Sequence, residues 1–205
     1  MKNRIIFSVL LSVALSVNIH AQPGDKDSTF RRHFIGSTLF ILATPILTPS
    51  PEYFQLNYGY RITPKDVLSV EAITWLYGGP LGRPYGPDYE KESSGFPGSV
   101  RAFGVGLAYK RFLWKRLYGQ VHSTAFRQNY LDENDKKIQS GFQLFNTLRF
   151  GYQLRLFKNR VFIEPSVAAT WWPVNTNLPA SFQVQEDKWR NFFLFEPGMH
   201  FGINF

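Results

Sequence analysis

Five ionisable residues, Arg61, Glu71, Arg149, Glu164 and Glu196, stand in stretches that alternate between large apolar positions and small or polar ones. All five fall on the small, polar side of the alternation, together with His122 and His200. Carboxylates beside bases can serve acid–base or nucleophilic chemistry, or they can form a buried network of ion pairs. The spacing favours the network. His122 and Ser123 are neighbours in an extended segment, so they point to opposite faces and cannot act as base and nucleophile. Ser166 stands two residues from Glu164 on the same face, without a His in the local sequence. No G-x-S-x-G and no H-E-x-x-H motif occurs, and His33, His122 and His200 are scattered. The sequence therefore predicts no catalytic residue, no cofactor and no metal site. It predicts a structural network of Arg61, Glu71, Arg149, Glu164 and Glu196, with an Arg–Glu contact made by Arg149 or Arg61.

The elements that must hold this network are strands. From Phe34 onward the side-chain pattern has a period of two. Phe54, Leu56, Tyr58, Tyr60 and Ile62 oppose Gln55, Asn57, Gly59 and Arg61. Leu68, Val70, Ala72 and Leu76 oppose Ser69 and Glu71. Phe103, Val105, Leu107 and Tyr109 oppose Ala102, Gly104, Gly106 and Ala108. Phe142, Leu144, Leu148, Phe150, Tyr152 and Leu154 oppose Gln143, Thr147, Arg149, Gly151 and Gln153. Val161, Ile163, Val167, Ala169 and Trp171 oppose Glu164, Ser166 and Thr170. At the C-terminus Phe193, Phe195, Met199, Phe201, Ile203 and Phe205 oppose Leu194, Glu196, Gly198, His200, Gly202 and Asn204. Phe34–Leu42, apolar on both faces, and Leu117–Gln128, with small residues on its outer face, complete eight strands. Phe162-Ile163-Glu164-Pro165 recurs as Leu194-Phe195-Glu196-Pro197; each Pro removes a ladder donor and marks a bulge.

The links alternate in length. Thr63-Pro64-Lys65-Asp66, Arg111–Lys115 and Phe157–Asn159 are short, whereas Ala43–Glu52, Gly78–Gly98, Asn129–Gly141 and Pro173–Arg190 are long and rich in Gly, Pro or charge. Short links at one end and long ones at the other are the layout of an outer-membrane barrel. A sandwich would carry polar outer faces, and here the polar faces are the narrow ones. The expected fold is all-β: an eight-stranded antiparallel up-and-down transmembrane β-barrel over 34–205. Trp75, Trp171, Trp172 and Trp189 next to long loops, and Trp114 in a short turn, read as interfacial girdles.

The 205 residues carry a net charge of +8, which raises the question of nucleic acid. The basic residues cluster at the short turns, Lys110, Arg111, Lys115 and Arg116 at one and Arg155, Lys158 and Arg160 at another, where they meet inner-leaflet phosphates. No nucleic-acid partner is expected. There is no Cys, so disulfides and Cys-ligated metals are excluded. Lys2 and Arg4, the apolar run Ile5–Val17 and the small Ala21 form a secretory signal peptide over 1–21, followed by a periplasmic tail over 22–33.

In architecture and in its terminal strand the chain resembles the small eight-stranded outer-membrane β-barrels, the OmpX-like, OmpW-like and OmpA transmembrane-domain proteins. Met199, Phe201, Ile203 and Phe205 look like the C-terminal signal that the barrel-assembly machinery reads during insertion. The resemblance implies residence in the cell outer membrane of a Gram-negative bacterium, as a monomer among outer-membrane lipids. The expected function is non-enzymatic: a barrel that displays loops and contributes to envelope structure or surface interactions. Gly78–Gly98, with Tyr77, Tyr85, Tyr89 and Phe96, is the expected contact surface for a partner. A lipid-modifying enzyme and a passage for small hydrophobic compounds stand as alternatives. The narrow interior is expected to be packed and closed to ions.

Overall fold

The computed structural model describes residues 30–47, 50–83 and 91–205. The signal peptide at 1–21, most of the tail at 22–33, and Tyr85 and Tyr89 lie outside the described residues. Nine strands form one antiparallel sheet: β1 (His33–Thr38), β2 (Phe54–Arg61), β3 (Asp66–Tyr77), β4 (Ser99–Trp114), β5 (Leu117–Leu131), β6 (Lys137–Tyr152), β7 (Leu154–Leu156), β8 (Val161–Thr176) and β9 (Phe192–Asn204). Sequential strands pair from β1 to β6, β6 also pairs with β8, and β9 pairs with both β8 and β1. These pairings close a ring of eight strands, so no long edge is left unpaired. β7 is the continuation of β6 beyond Gln153 and pairs only with β8. The expected strand Phe142–Leu154 is divided there: pairing with β8 lapses at Tyr152 and Gln153, which lie opposite Pro165 and Glu164, and Pro165 has no N–H to give the ladder.

The alternation read from the sequence is visible as exposure. Outward-facing Leu56, Leu68, Val70, Leu148, Phe150 and Ile203 are exposed, and Val105 and Leu107 are each 67% exposed. Inward-facing Gln55, Arg61, Glu71, Gln143, Arg149 and Glu164 are buried. One-residue bulges reverse this order in two places. Opposite β8 the register of β9 shifts between Ala168 and Thr170, and Phe195 takes a φ of 61°. Above that bulge the faces exchange, so Leu194 turns outward and Phe193 inward, opposite to the expected assignment. A second shift, between Leu144 and Asn146 of β6, leaves Trp172 and Pro173 of β8 facing one residue. Trp172 itself continues the inward series Glu164, Ser166, Ala168 and Thr170 and is 2% exposed, so it is not a girdle residue; the exchange appears after it, where Val174 turns outward.

One end of the ring holds the short turns and both strand termini; the other holds the longer links. At the loop end β1 is shorter than expected. The chain leaves the ladder after Thr38, whose hydroxyl accepts a hydrogen bond from Phe40 N and starts a 3-10 turn (Leu39–Leu42) that runs into the one-turn helix α1 (Ala43–Ile46). The expected link Asn129–Gly141 contracts to the turn between Leu131 and Lys137. Asp132 Oδ1 accepts from Asn134 N and Lys136 N at 2.9 Å, which tightens that turn. The link after β8 carries helix α2 (Ala180–Glu186), and Phe182 is fully buried.

Candidate functional site

The interior divides into two levels. Near the turn end Phe34, Val67, Phe112, Tyr118 and Phe162 form a buried cluster. Polar groups close the remaining section around it. Lys110 Nζ donates to both oxygens of Glu164, at 2.7 and 2.6 Å. Gln153 Nε2 donates to Glu164 Oε1 at 2.8 Å, and Gln153 Oε1 accepts from Arg155 Nε at 3.0 Å. Arg61 Nη2 reaches Gln153 Oε1 at 3.5 Å and Asn204 Oδ1 at 3.4 Å, with its guanidinium over the Phe112 ring at 5.5 Å. Asn204 Nδ2 in turn donates to the Asn159 carbonyl at 2.9 Å. Every carboxylate oxygen of this floor has a donor, which is the condition for keeping the charge buried.

Lys110 corrects the sequence reading twice. It was grouped with the turn cluster, yet it points inward and is buried. It also takes Glu164, so the network's closest ion pair uses a Lys and not an Arg. Its position was readable, since Lys110 continues the inward series Ala102, Gly104, Gly106 and Ala108 of β4.

Above the floor lies a cavity of about 490 Å³. Its lower wall is charged and its upper wall aromatic. Glu71 is held by Gln55 Nε2 at 2.6 Å and by Thr124 Oγ1 at 2.9 Å, with His122 Nε2 at 3.4 Å. Tyr53 donates a short hydrogen bond to Gln55 Oε1. Across the cavity Arg149 Nη1 donates to Ser166 Oγ at 3.0 Å, and Arg149 Nη2 stands 3.4 Å from Glu196 Oε1. Glu196 Oε2 accepts from Thr170 Oγ1 at 2.6 Å. The expected Arg–Glu contact is therefore present and made by Arg149, while Arg61 makes none among the described residues. Gly198 leaves the space for Arg149, because a Cβ there would stand 2.1 Å from Nη1. Higher up, Phe145 stacks on Trp172 with centroids 5.9 Å apart, and Tyr53, Trp75 and Phe40 pack edge to face.

The loop end covers this chamber with a second cluster. Phe182 of α2 packs among Val100 and Tyr130, with Tyr77, Phe96 and Leu178 around them, and Phe96 stacks on Phe182 at 4.7 Å. Tyr77 and Phe96, expected to offer a contact surface, are thus turned into this packing; the Tyr77 hydroxyl accepts from Gln128 at 2.8 Å. Glu186 accepts from Trp172 Nε1 at 3.2 Å and from Asn175 Nδ2 at 3.1 Å, which ties α2 to β8. Burial pushes the Glu186 carboxyl above its ordinary value, and these two hydrogen bonds draw it back only in part.

Thr124, His122 and Glu71 bring a hydroxyl, an imidazole and a carboxylate together, and their geometry decides against nucleophilic catalysis. A relay needs one ring nitrogen on the hydroxyl and the other on the acid. Here the same atom, His122 Nε2, faces both Thr124 Oγ1 at 3.2 Å and Glu71 Oε1, while the hydroxyl donates directly to Glu71. The group is a hydrogen-bonded wall. Among the described residues no cluster of three or more His, Asp or Glu is placed to hold a metal ion.

Comparison with known proteins adds no relative. No protein-family model, no curated protein and no solved structure matches the chain.

Proposed function

We propose that the chain is an eight-stranded outer-membrane β-barrel without a catalytic role, which displays its longer connections at the cell surface and contributes to the structure or the surface contacts of the envelope. One observation carries the reading: the ring is inside out. Its outward side bears exposed Leu, Val, Ile and Phe on every strand of the circuit, while Lys110, Glu164, Glu71 and Arg149 are buried within. Water favours the reverse distribution, and a hydrocarbon surround favours this one. Leu42, Ile46 and Leu47 at the loop end, each at least half exposed, extend the apolar surface to the rim. The alternation of Met199, Phe201, Ile203 and Phe205 on the outer side of β9 is in keeping with an assembly signal.

Fractionation tests the proposal, together with gel migration before and after heating. The mature chain is expected in the outer-membrane fraction, with a band that shifts on boiling and a β-type circular dichroism spectrum in detergent. A monodisperse chain in buffer without detergent overturns it. Lipid A profiles from cells with and without the protein separate this reading from the lipid-modifying enzyme, and unchanged profiles are expected. The hydrogen-bonded floor supports a lumen closed to ions, so planar bilayers should show no stable large single-channel currents.

A second reading has its own observation. A cavity of about 490 Å³ with aromatic walls and a few convergent polar groups fits the retention of one small amphipathic compound. The sealed floor opposes its passage through the lumen.

A further inference from the structure

We propose that the outer face of β2 to β6 docks one phosphorylated lipid of the surrounding bilayer, with Arg127 holding the phosphate and a groove beside it holding acyl chain. The inference rests on the membrane-spanning reading and adds a defined ligand to it.

The groove begins with side-chain size. The outward positions of β5 include Gly119, Val121, Ser123 and Ala125, and beyond β4, in the rows of Ala125 and Arg127, the outward positions of β3 are Ala72 and Thr74. These small residues leave a depression of about 630 Å³ between Phe54 and Phe142, lined also by the outward Phe103 and Val105 of β4. It is an apolar depression on a surface that faces hydrocarbon in the membrane-spanning reading, so filling it with water would be unfavourable there.

Arg127 closes one end. Its ladder partners are Phe103 on β4 and Phe142 on β6, so an exposed guanidinium stands between two outward aromatic residues. Among the described residues Arg127 has no hydrogen-bonding or ion-pair partner. The carboxylate on this side, Glu52, is occupied by Arg101 at 2.6 Å. One row toward the loop end the outward residues of β4 to β6, Arg101, Asn129 and Ser140, are polar and satisfied, with Ser140 Oγ donating to Asn129 Oδ1 at 2.8 Å. One row toward the turn end they are apolar, Val105, Ala125 and Leu144. Arg127 therefore marks the boundary between polar rim and apolar belt, the level of lipid phosphates. An uncompensated guanidinium at that level selects an anion, and its planar fork matches two phosphate oxygens. A second copy of the chain, meeting this face symmetrically, would bring one uncompensated Arg127 toward another. A lipid phosphate neutralises it instead.

The test titrates the full mature protein, folded in detergent, with diphosphorylated lipid A, with the same lipid stripped of its phosphates, and with inorganic phosphate; native mass spectrometry counts what is retained. One lipid A per chain is expected, bound about tenfold more tightly than the dephosphorylated form, as the loss of one charge-assisted contact would give. Inorganic phosphate should not be retained. Arg127→Gln should lower lipid A affinity by about the same factor, Ala125→Phe should fill the groove and weaken both lipids, and Arg160→Gln at the opposite end should change nothing. Equal retention by native protein and Arg127→Gln, or no preference for the phosphorylated lipid, overturns the proposal. A dimer that Ala125→Phe dissolves overturns it in favour of self-association. Heat-modifiable migration of each variant reports folding separately, and a native chain that never enters detergent or bilayer fails the membrane reading itself.

Discussion

The floor and the chamber of this ring contain the same residue types arranged to different effect. In the floor Lys110 meets Glu164 through two hydrogen bonds of 2.7 and 2.6 Å, and both side chains are under one-tenth exposed. In the chamber Arg149 approaches Glu196 at 3.4 Å, and the Glu196 side chain keeps about a third of its exposure. The floor pair lies at the foot of the cavity with little access to solvent and stands among Phe34, Tyr118 and Phe162, so each charge depends on the other. The chamber pair borders an open volume, where water and neighbouring hydroxyls share the work of solvation. An ion pair seals a lumen only where packing has already removed the alternatives.

The largest effect is expected in the floor. Glu164→Ala leaves Lys110 charged, buried and unpaired, and should destabilise the ring by roughly 3–5 kcal/mol, read by denaturant unfolding in detergent. The double substitution Lys110→Met with Glu164→Leu should recover most of that loss, because two apolar side chains suit the aromatic surroundings. If the single and double variants unfold alike, the floor is not held by its charges.

The cover over the chamber comes next. Phe182→Ala empties the centre of the cluster formed with Val100 and Tyr130, at a cost of roughly 3 kcal/mol. The loss should be confined to the link that carries α2, since that link lies outside the ladder. Limited proteolysis should cut between β8 and β9 while the heat-modifiable band persists. A whole-ring loss of stability would show that cover and ring unfold together.

Within the chamber Glu196→Gln should cost only about 1 kcal/mol, because a neutral acceptor still serves Thr170 and Arg149 retains Ser166. The comparison with Glu164→Ala is the sharp one. A loss as large as the floor's would mean that the chamber is as dry as the floor.

Where the sequence was legible, it was so through parity. A strand reverses its side chain at every residue, so the outward apolar series on β2, β3, β4 and β6 could be counted directly, and with it the inward placement of Arg61, Glu71, Arg149, Glu164 and Glu196. Parity fails at bulges, where one added residue exchanges the faces. That is why Phe193 and Leu194 came out reversed. Trp172 follows parity, continuing the inward series Glu164, Ser166 and Thr170, and stacks inside on Phe145. The prolines at 165, 173 and 197 lie at or near the interruptions, but Pro alone does not say which residue is the extra one. Lys110 was misplaced for a different reason: charge was given more weight than parity next to a turn. The chamber was not legible, because its volume depends on how Gly106 and Gly198 make room for His122 and Arg149, which alternation does not encode.

The smallest expected effect joins the cover to pH. Glu186 ends α2 with its carboxyl turned toward β8, and desolvation raises that carboxyl above the ordinary 4.5 despite the hydrogen bonds from Trp172 and Asn175. A group whose folded value exceeds its unfolded value binds protons more readily when folded. Its contribution is therefore fully present below the unfolded value and is lost as pH rises through the elevated folded value. The cover should loosen as pH is raised from the ordinary carboxyl range through the elevated value of Glu186, seen as faster proteolysis of the link between β8 and β9 and as a change in Trp172 fluorescence. The floor should not follow, and unfolding of the ring should stay constant over the same window. Glu186→Gln keeps an acceptor for Trp172 without the titration, so its cover should stay equally closed across the range. If the variant loosens with pH as the native chain does, another group governs the cover, and Glu186 ties α2 to β8 by hydrogen bonds alone.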